Sequence, residues 1–271
     1  MTEETTYRNR LSNAKRIVVK IGTRVITLPS GEPDLNQIKS LSDQIAKLHH
    51  LGHELLVVSS GAVGAGVEAL GMTTRPSHVQ DLQMCAAVGQ TKLMALYDNF
   101  FRSHQIMIGQ VLLTHADFHH KIQLANAKRT MRHMILNRVI PIINENDVVA
   151  FEEIEAVLSL GDNDYLASRV VSLVDSDLLI ILSTVDGVLD QQGERLPFIN
   201  DVNSAYKLID PKHGDSALSK GGMRSKLSAT QRALKSNCTV IIANGRKENN
   251  LADILSGKDV GTLLTNQEPE H

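Results

Sequence analysis

The chain contains no tryptophan, 3% aromatic residues and only two cysteines. So few rings argue against a platform on which nucleic-acid bases stack. Cys85 and Cys238 lie far apart with no CxxC spacing; they read as small buried hydrophobes in a reducing compartment. Basic residues do not cluster, and the formal net charge is −2. That removes the concentrated Lys/Arg face a nucleic-acid surface requires. No apolar run is long enough to span a bilayer, and the strongest, residues 177–185, reads as a buried strand. The first ten residues, MTEETTYRNR, are polar, with no apolar stretch after the charges. They do not form a secretory signal, so the expected location is the cytoplasm, with no membrane partner. The eleven histidines show no HExxH or Cys/His zinc spacing, and surface positions account for them.

What is present is an α/β pattern. The 271 residues are 42% hydrophobic, enough to bury a substantial core. Short β-rich runs are expected as strands at 16–21, 54–60, 106–114, 139–144, 177–184 and 239–243. Helices are expected at 34–51, 77–101, 120–137, 165–174, 226–236 and 251–255. The first of these carries Leu35, Ile38, Leu41, Ile45 and Leu48 on one stripe and ends before Gly52. Turn chemistry around Gly193 predicts a hairpin over 187–200, and the polar end (NQEPEH) is expected to fray. Alternation of this kind implies a largely parallel sheet with helices on both faces. No repeat or linker divides the chain. One domain over 1–271 is the simplest reading, with one lobe at about 15–150 and a second at about 151–265.

In open α/β sheets, ligands sit at the carboxyl ends of strands, and those ends hold the polar islands. The first strand ends in Lys20-Ile21-Gly22-Thr23. A lone lysine there would snorkel, but a glycine two residues later lets backbone donors approach an anion. The second ends in Ser59-Ser60-Gly61-Ala62-Val63-Gly64-Ala65-Gly66. These small residues fit either close helix packing or an anion seat at a helix N-terminus. The sequence is neither a P-loop nor a dinucleotide fingerprint. Asn144-Glu145-Asn146-Asp147 and Gly161-Asp162-Asn163-Asp164 place acids and amides around a gap that suits an amino group, a magnesium ion, or both. Ser219-Lys220-Gly221-Gly222-Met223-Arg224-Ser225-Lys226 opens a helix with the donors a nucleotide phosphate takes, although a surface loop could look the same. Lysines, helix N-termini and acids without a nucleophile–base pair fit phosphoryl transfer.

On seven motifs the chain resembles the glutamate 5-kinases, within the amino acid kinase family, over about residues 15–265. These are KIGT at 20–23, VVSSGAVGAG at 57–66, AAVGQ at 86–90, GQVLLT at 109–114, PIINENDVV at 141–149, GDNDYLA at 161–167 and GGMRSK at 221–226. The resemblance implies a three-layer αβα sandwich around a mainly parallel sheet. It implies transfer of the ATP γ-phosphoryl group, with Mg2+, to the side-chain carboxylate of L-glutamate, the first step towards proline. Lys20 and Lys226 would neutralise phosphoryl charge, and Asp164 would orient them. Ser60, Gly61, Asn144, Asp147 and Asn163 would hold glutamate, with Asp147 near its ammonium. Gly22 and the 61–66 turn would cradle phosphates through backbone N–H groups. Ser183, Thr184, Lys220, Gly221, Gly222 and Met223 would line the ATP site with the two lysines, and Asp162 would touch magnesium or substrate. The first lobe would mainly bind glutamate and the second ATP. Feedback inhibition by proline and a dimer or tetramer are further implications. Lys220 stands where many members have Thr. The Tyr and DPR-like stretch common after the 177–184 strand are missing, and no PUA domain is expected. Acetylglutamate, aspartate or carbamate kinases, or an amino-acid sensor without turnover, are the alternative readings.

Overall fold

A computed structural model describes residues 2–150, 163–208 and 222–266. Their strands are β1 (Arg16–Ile21), β2 (Glu54–Val58), β3 (Ile108–Leu113), β4 (Ile140–Glu145), β5 (Leu178–Ser183), β6 (Phe198–Ile199), β7 (Thr239–Asn244) and β8 (Thr262–Leu264). They form one sheet in the order β3-β4-β2-β1-β5-β7-β8-β6. Neighbours from β3 to β7 are parallel; β8 runs antiparallel to β7, and β6 follows β8.

The helices are α1 (Glu3–Arg10), α2 (Leu35–His50), α3 (Ala62–Ala69), α4 (Val79–Arg102), α5 (Lys121–Leu136), α6 (Asn163–Val174), α7 (Val202–Leu208), α8 (Met223–Leu234) and α9 (Asn250–Leu255). Parallel strands buried on both faces read as near-continuous apolar runs, and alternate side chains enter different cores. Ile17, Val19 and Ile21 pack on one face with Ile38 and Ile45 of α2 and Leu93 and Tyr97 of α4. Val18 enters the other core, with α6 and α8 residues such as Val170 and Leu227. The result is the expected three layers. Lys20 shares its parity with Val18, which aims it at α6 and α8.

Several local expectations shift. The 61–66 segment is not all turn: Gly61 is the N-cap of α3, and Gly64 and Gly66 lie inside the helix. A Cβ on Gly66 would sit 1.8 Å from Cys85 O, and one on Gly89 would sit 1.8 Å from Ala62 O. Those glycines let α3 and α4 cross almost backbone to backbone. The 187–200 hairpin is reduced to one antiparallel bridge, Leu189 with Arg195, because Asp190 Oδ1 takes the Gln192 and Glu194 N–H groups into a tight turn. Leu35 belongs to α2 but is exposed at its first turn. Helices α1 and α7 and strands β6 and β8 are additions to the sequence reading. Buried Arg8 docks α1, donating to Pro197 O at 2.9 Å and Val260 O at 3.0 Å. The two cysteines are buried thiols, and burial raises the pKa of both. No helix among the described residues is long and apolar enough to cross a membrane. Most of the polar end, residues 267–271, lies outside the described residues.

Candidate active site

The polar strand ends gather on one edge of the sheet. Lys20, next to last in β1, meets Asp164, the second residue of α6, with Nζ 2.6 Å from Oδ1. Lys226, in the first turn of α8, reaches the other carboxylate oxygen at 3.2 Å. The three side chains are removed from water: Lys20 is 1% exposed, Lys226 5% and Asp164 0%. Buried charges are costly unless paired, so gathering two ammonium groups on one carboxylate is a constraint the fold sustains. The two lysines sit far apart in sequence, and α6, which packs on both β1 and α8, is what joins them.

Beside this trio runs a chain of neutral amides. Asn163 Nδ2 donates to Asn144 Oδ1 at 2.9 Å, to Ser60 Oγ at 3.0 Å and to Ser59 O. The Glu145 N–H also donates to Asn144 Oδ1, at 2.9 Å. Asn144 Nδ2 then donates to Gln90 Oε1 at 2.8 Å. Behind the serines, Ser59 Oγ lies 2.8 Å from the hydroxyl of Tyr97, whose pKa burial pushes up to about 12. That phenol stays protonated and serves as a fixed support. A cavity of about 240 Å³ opens at the end of this chain, lined by Gln90, Thr91, Gln110, Glu145 and Asp147 among others.

The amino acid kinase family pattern matches residues 15–244. The chain belongs to the amino acid kinase family. Glutamate 5-kinases from Enterococcus faecalis and Listeria monocytogenes are each 37% identical to it. The first match covers 95% of this chain and 97% of that protein; the second covers 97% of both. A glutamate 5-kinase from Acinetobacter baumannii is 38% identical over 98% of this chain and 70% of its own length. Among solved structures, the N-acetylglutamate synthase of Neisseria gonorrhoeae, complexed with coenzyme A and L-arginine, superposes with a TM-score of 0.64 at 13% identity. That match covers 97% of this chain and 64% of the other; at such identity it is the fold that is shared.

Within this amino acid kinase chain, most sequence-expected site residues lie at the same edge. Asn144 and Ser60 are buried at the ends of β4 and β2, and Asp147 lines the cavity. Gly61 adopts a φ of +99° as the N-cap of α3, a conformation that favours glycine. Ser183 ends β5, its carbonyl accepting from Gly245 N at 2.8 Å, and Thr184 is exposed just beyond. Gly222 is the N-cap of α8, and Met223 is its first residue, packed against the α6-side core. Asp162, Lys220 and Gly221 lie outside the described residues.

Two expectations need correction. The Gly22 N–H does not point to a ligand; it donates to Leu182 O at 3.1 Å and continues the β1–β5 ladder. The use of glycine there is room, since a Cβ would lie 3.2 Å from Leu182 O and 3.7 Å from Lys20 Nζ. Gly64 and Gly66 serve packing, the bland alternative in the sequence, which leaves Gly61 as the turn residue of that segment. Sequence reasoning also missed roles for Ser59, Tyr97 and Gln90. Gln90 stood inside the AAVGQ motif, and that was its one available signal.

Proposed function

We propose that this protein is a glutamate 5-kinase, transferring the ATP γ-phosphoryl group to the side-chain carboxylate of L-glutamate in the first step of proline biosynthesis. The observation that carries this reading is the meeting of Lys20 and Lys226 on Asp164 beside an amide-lined cavity. The near full-length identity to glutamate 5-kinases supports the choice of acceptor.

The acceptor carboxylate is ionised at neutral pH and attacks the γ-phosphorus directly, so no general base is needed. A new carboxylate O–P bond forms, the bond to the β-phosphate oxygen breaks, and ADP leaves with that electron pair. Lys20 and Lys226 neutralise charge on the transferring group and on the β-phosphate, where preorganised donors matter most. Asp164 aims both ammonium groups. Ser60, Gly61, Asn144, Asp147 and Asn163 hold glutamate, with Asp147 near its ammonium. ATP lies over the ends of β1 and β5, against Ser183, Thr184 and the Gly222–Met223 start of α8. The family resemblance adds Lys220 and Gly221 to the ATP-binding set. The first lobe mainly binds glutamate and the second mainly ATP.

Among the described residues, no three His, Cys, Asp or Glu side chains gather as a metal site. Both Asp164 oxygens face ammonium groups. Mg2+ would be carried by the nucleotide phosphates and would neutralise part of their charge, and the resemblance names Asp162 as a carboxylate that would touch it. Proline as a feedback inhibitor at the glutamate site and assembly as a dimer or tetramer complete the proposal.

The test is ATP turnover with L-glutamate, L-aspartate and N-acetylglutamate, with hydroxylamine present to trap any acyl phosphate as a hydroxamate. ADP and hydroxamate should appear with glutamate. Turnover confined to another acceptor would overturn the assignment.

A further inference from the structure

Gln90 is buried, at 9% exposure, and lines the cavity beyond the amide chain. The direction in which its amide points is determined by a backbone group. The Glu145 N–H can only donate, so the Asn144 atom it meets is the oxygen, and the Asn163 amide nitrogen donates to that same oxygen. Asn144 must therefore offer its NH2 to Gln90, and Gln90 must answer with Oε1. Nothing is left to chance in which end of Gln90 remains: Nε2 is buried with no acceptor among the described residues. A buried donor without a partner costs roughly 1–3 kcal/mol, and on a residue that lines a cavity a ligand group that accepts from it removes that cost.

The chain of amides also gives this donor a position relative to the chemistry. Asn163 is adjacent in sequence to Asp164, which holds the two lysines. From there the bonds lead away through Asn144 to Gln90 and the cavity. The reacting end of the substrate belongs at the lysines, so the far end belongs at Gln90. Asp147 lines the same cavity, and in the proposed function it lies near the substrate ammonium. We infer that Gln90 Nε2 donates to the main-chain carboxylate of the substrate amino acid and selects acceptors that carry one. This deepens the glutamate-kinase reading and rests on it.

The variant Gln90→Glu tests this without removing the support. One carboxylate oxygen still accepts from Asn144, while the other replaces the donor by an acceptor. At pH 8, KM for L-glutamate should rise at least about 10-fold, the worth of one such bond, with kcat within about threefold and KM for ATP unchanged. L-isoglutamine, whose main-chain amide can donate where glutamate accepts, should gain on glutamate by a similar factor in kcat/KM. Gln90→Met, nearly the same size, should raise KM for glutamate without that gain. An unchanged KM in a variant that turns over glutamate overturns the inference alone. So does an equal loss with both acceptors, which would mark a structural role. If the unaltered protein fails to turn over glutamate, the functional reading falls first and this one with it.

Discussion

Both ends of the central sheet carry partly or fully buried charge, and they handle it differently. At the amino ends, Asp177 accepts from the Lys15 and Arg16 N–H groups at 2.9 and 2.7 Å. Arg16 grips Glu54 through Nε at 2.9 Å and Nη2 at 2.7 Å. Each side chain there has a matching partner, and the bonds tie β1 to β2 and to the start of β5. At the carboxyl ends, two ammonium groups converge on the one carboxylate of Asp164. The first arrangement is a fastening. The second gathers positive charge where, in the proposed reaction, a phosphoryl group passes. Burial of charge does not by itself mark a functional site; the ratio and convergence of the charges separate the two cases.

Four experiments sharpen or break that contrast. The largest effect is expected from Asp164→Ala, which leaves two buried lysines without their shared partner. Urea unfolding should show a loss of about 3–5 kcal/mol, and a loss below 1 kcal/mol would mean the trio does not depend on that carboxylate. Next, Lys226→Met and Lys20→Met should each lower kcat about 10²–10³-fold with little change in KM for glutamate. A loss seen mainly in KM would move these lysines from the transition state to ground-state binding. At the opposite end of the sheet, Glu54→Gln should cost only about 1 kcal/mol and leave kcat/KM untouched. Impaired turnover there would erase the distinction between the ends.

The smallest effect concerns pH. His49, near the C-terminal end of α2, is buried with Nε2 3.2 Å from Arg138 O. Burial first, and the Arg138 charge second, lower its pKa from 6.5 to about 4. The folded chain keeps the ring neutral, so the unfolded chain takes up the proton first. The contribution is whole above about pH 6.5 and is lost as pH falls towards 4. His49→Gln should flatten that acid limb in thermal unfolding while kcat/KM at pH 7 stays the same. An acid limb of unchanged slope would assign it to other groups.

The central strands were legible because parallel strands buried on both faces leave uninterrupted apolar runs, as residues 177–184 do. Helix α2 was legible from its stripe and from Gly52. Helix α3 was misread in part because GAVGAG is what both a turn and a tightly packed helix look like; which one forms depends on Cys85 and Gly89 in a distant segment. Strand β8 has three residues and no alternation to betray it, and Gly261 enters it at a φ of +68°. The site residues came mainly from the resemblance, since no local rule says that Lys20 and Lys226 meet. Gln90 escaped because the meaning of an amide lies in which end is held, and here Glu145 and Asn144 decide that from a strand distant in sequence.

The crossing of α3 and α4 makes those two helices a calibrated joint. Gly89 is pressed against Ala62, and the residues just beyond that contact are Gln90 on one side and Gly61 on the other. A single methyl added at Gly66 or Gly89 would act as a shim, prying apart the cavity wall and the strand-end turn together. The width of the cavity, lined by Ala62 from one helix and by Ala86 and Gln90 from the other, is thereby gauged by the clearance between two backbones.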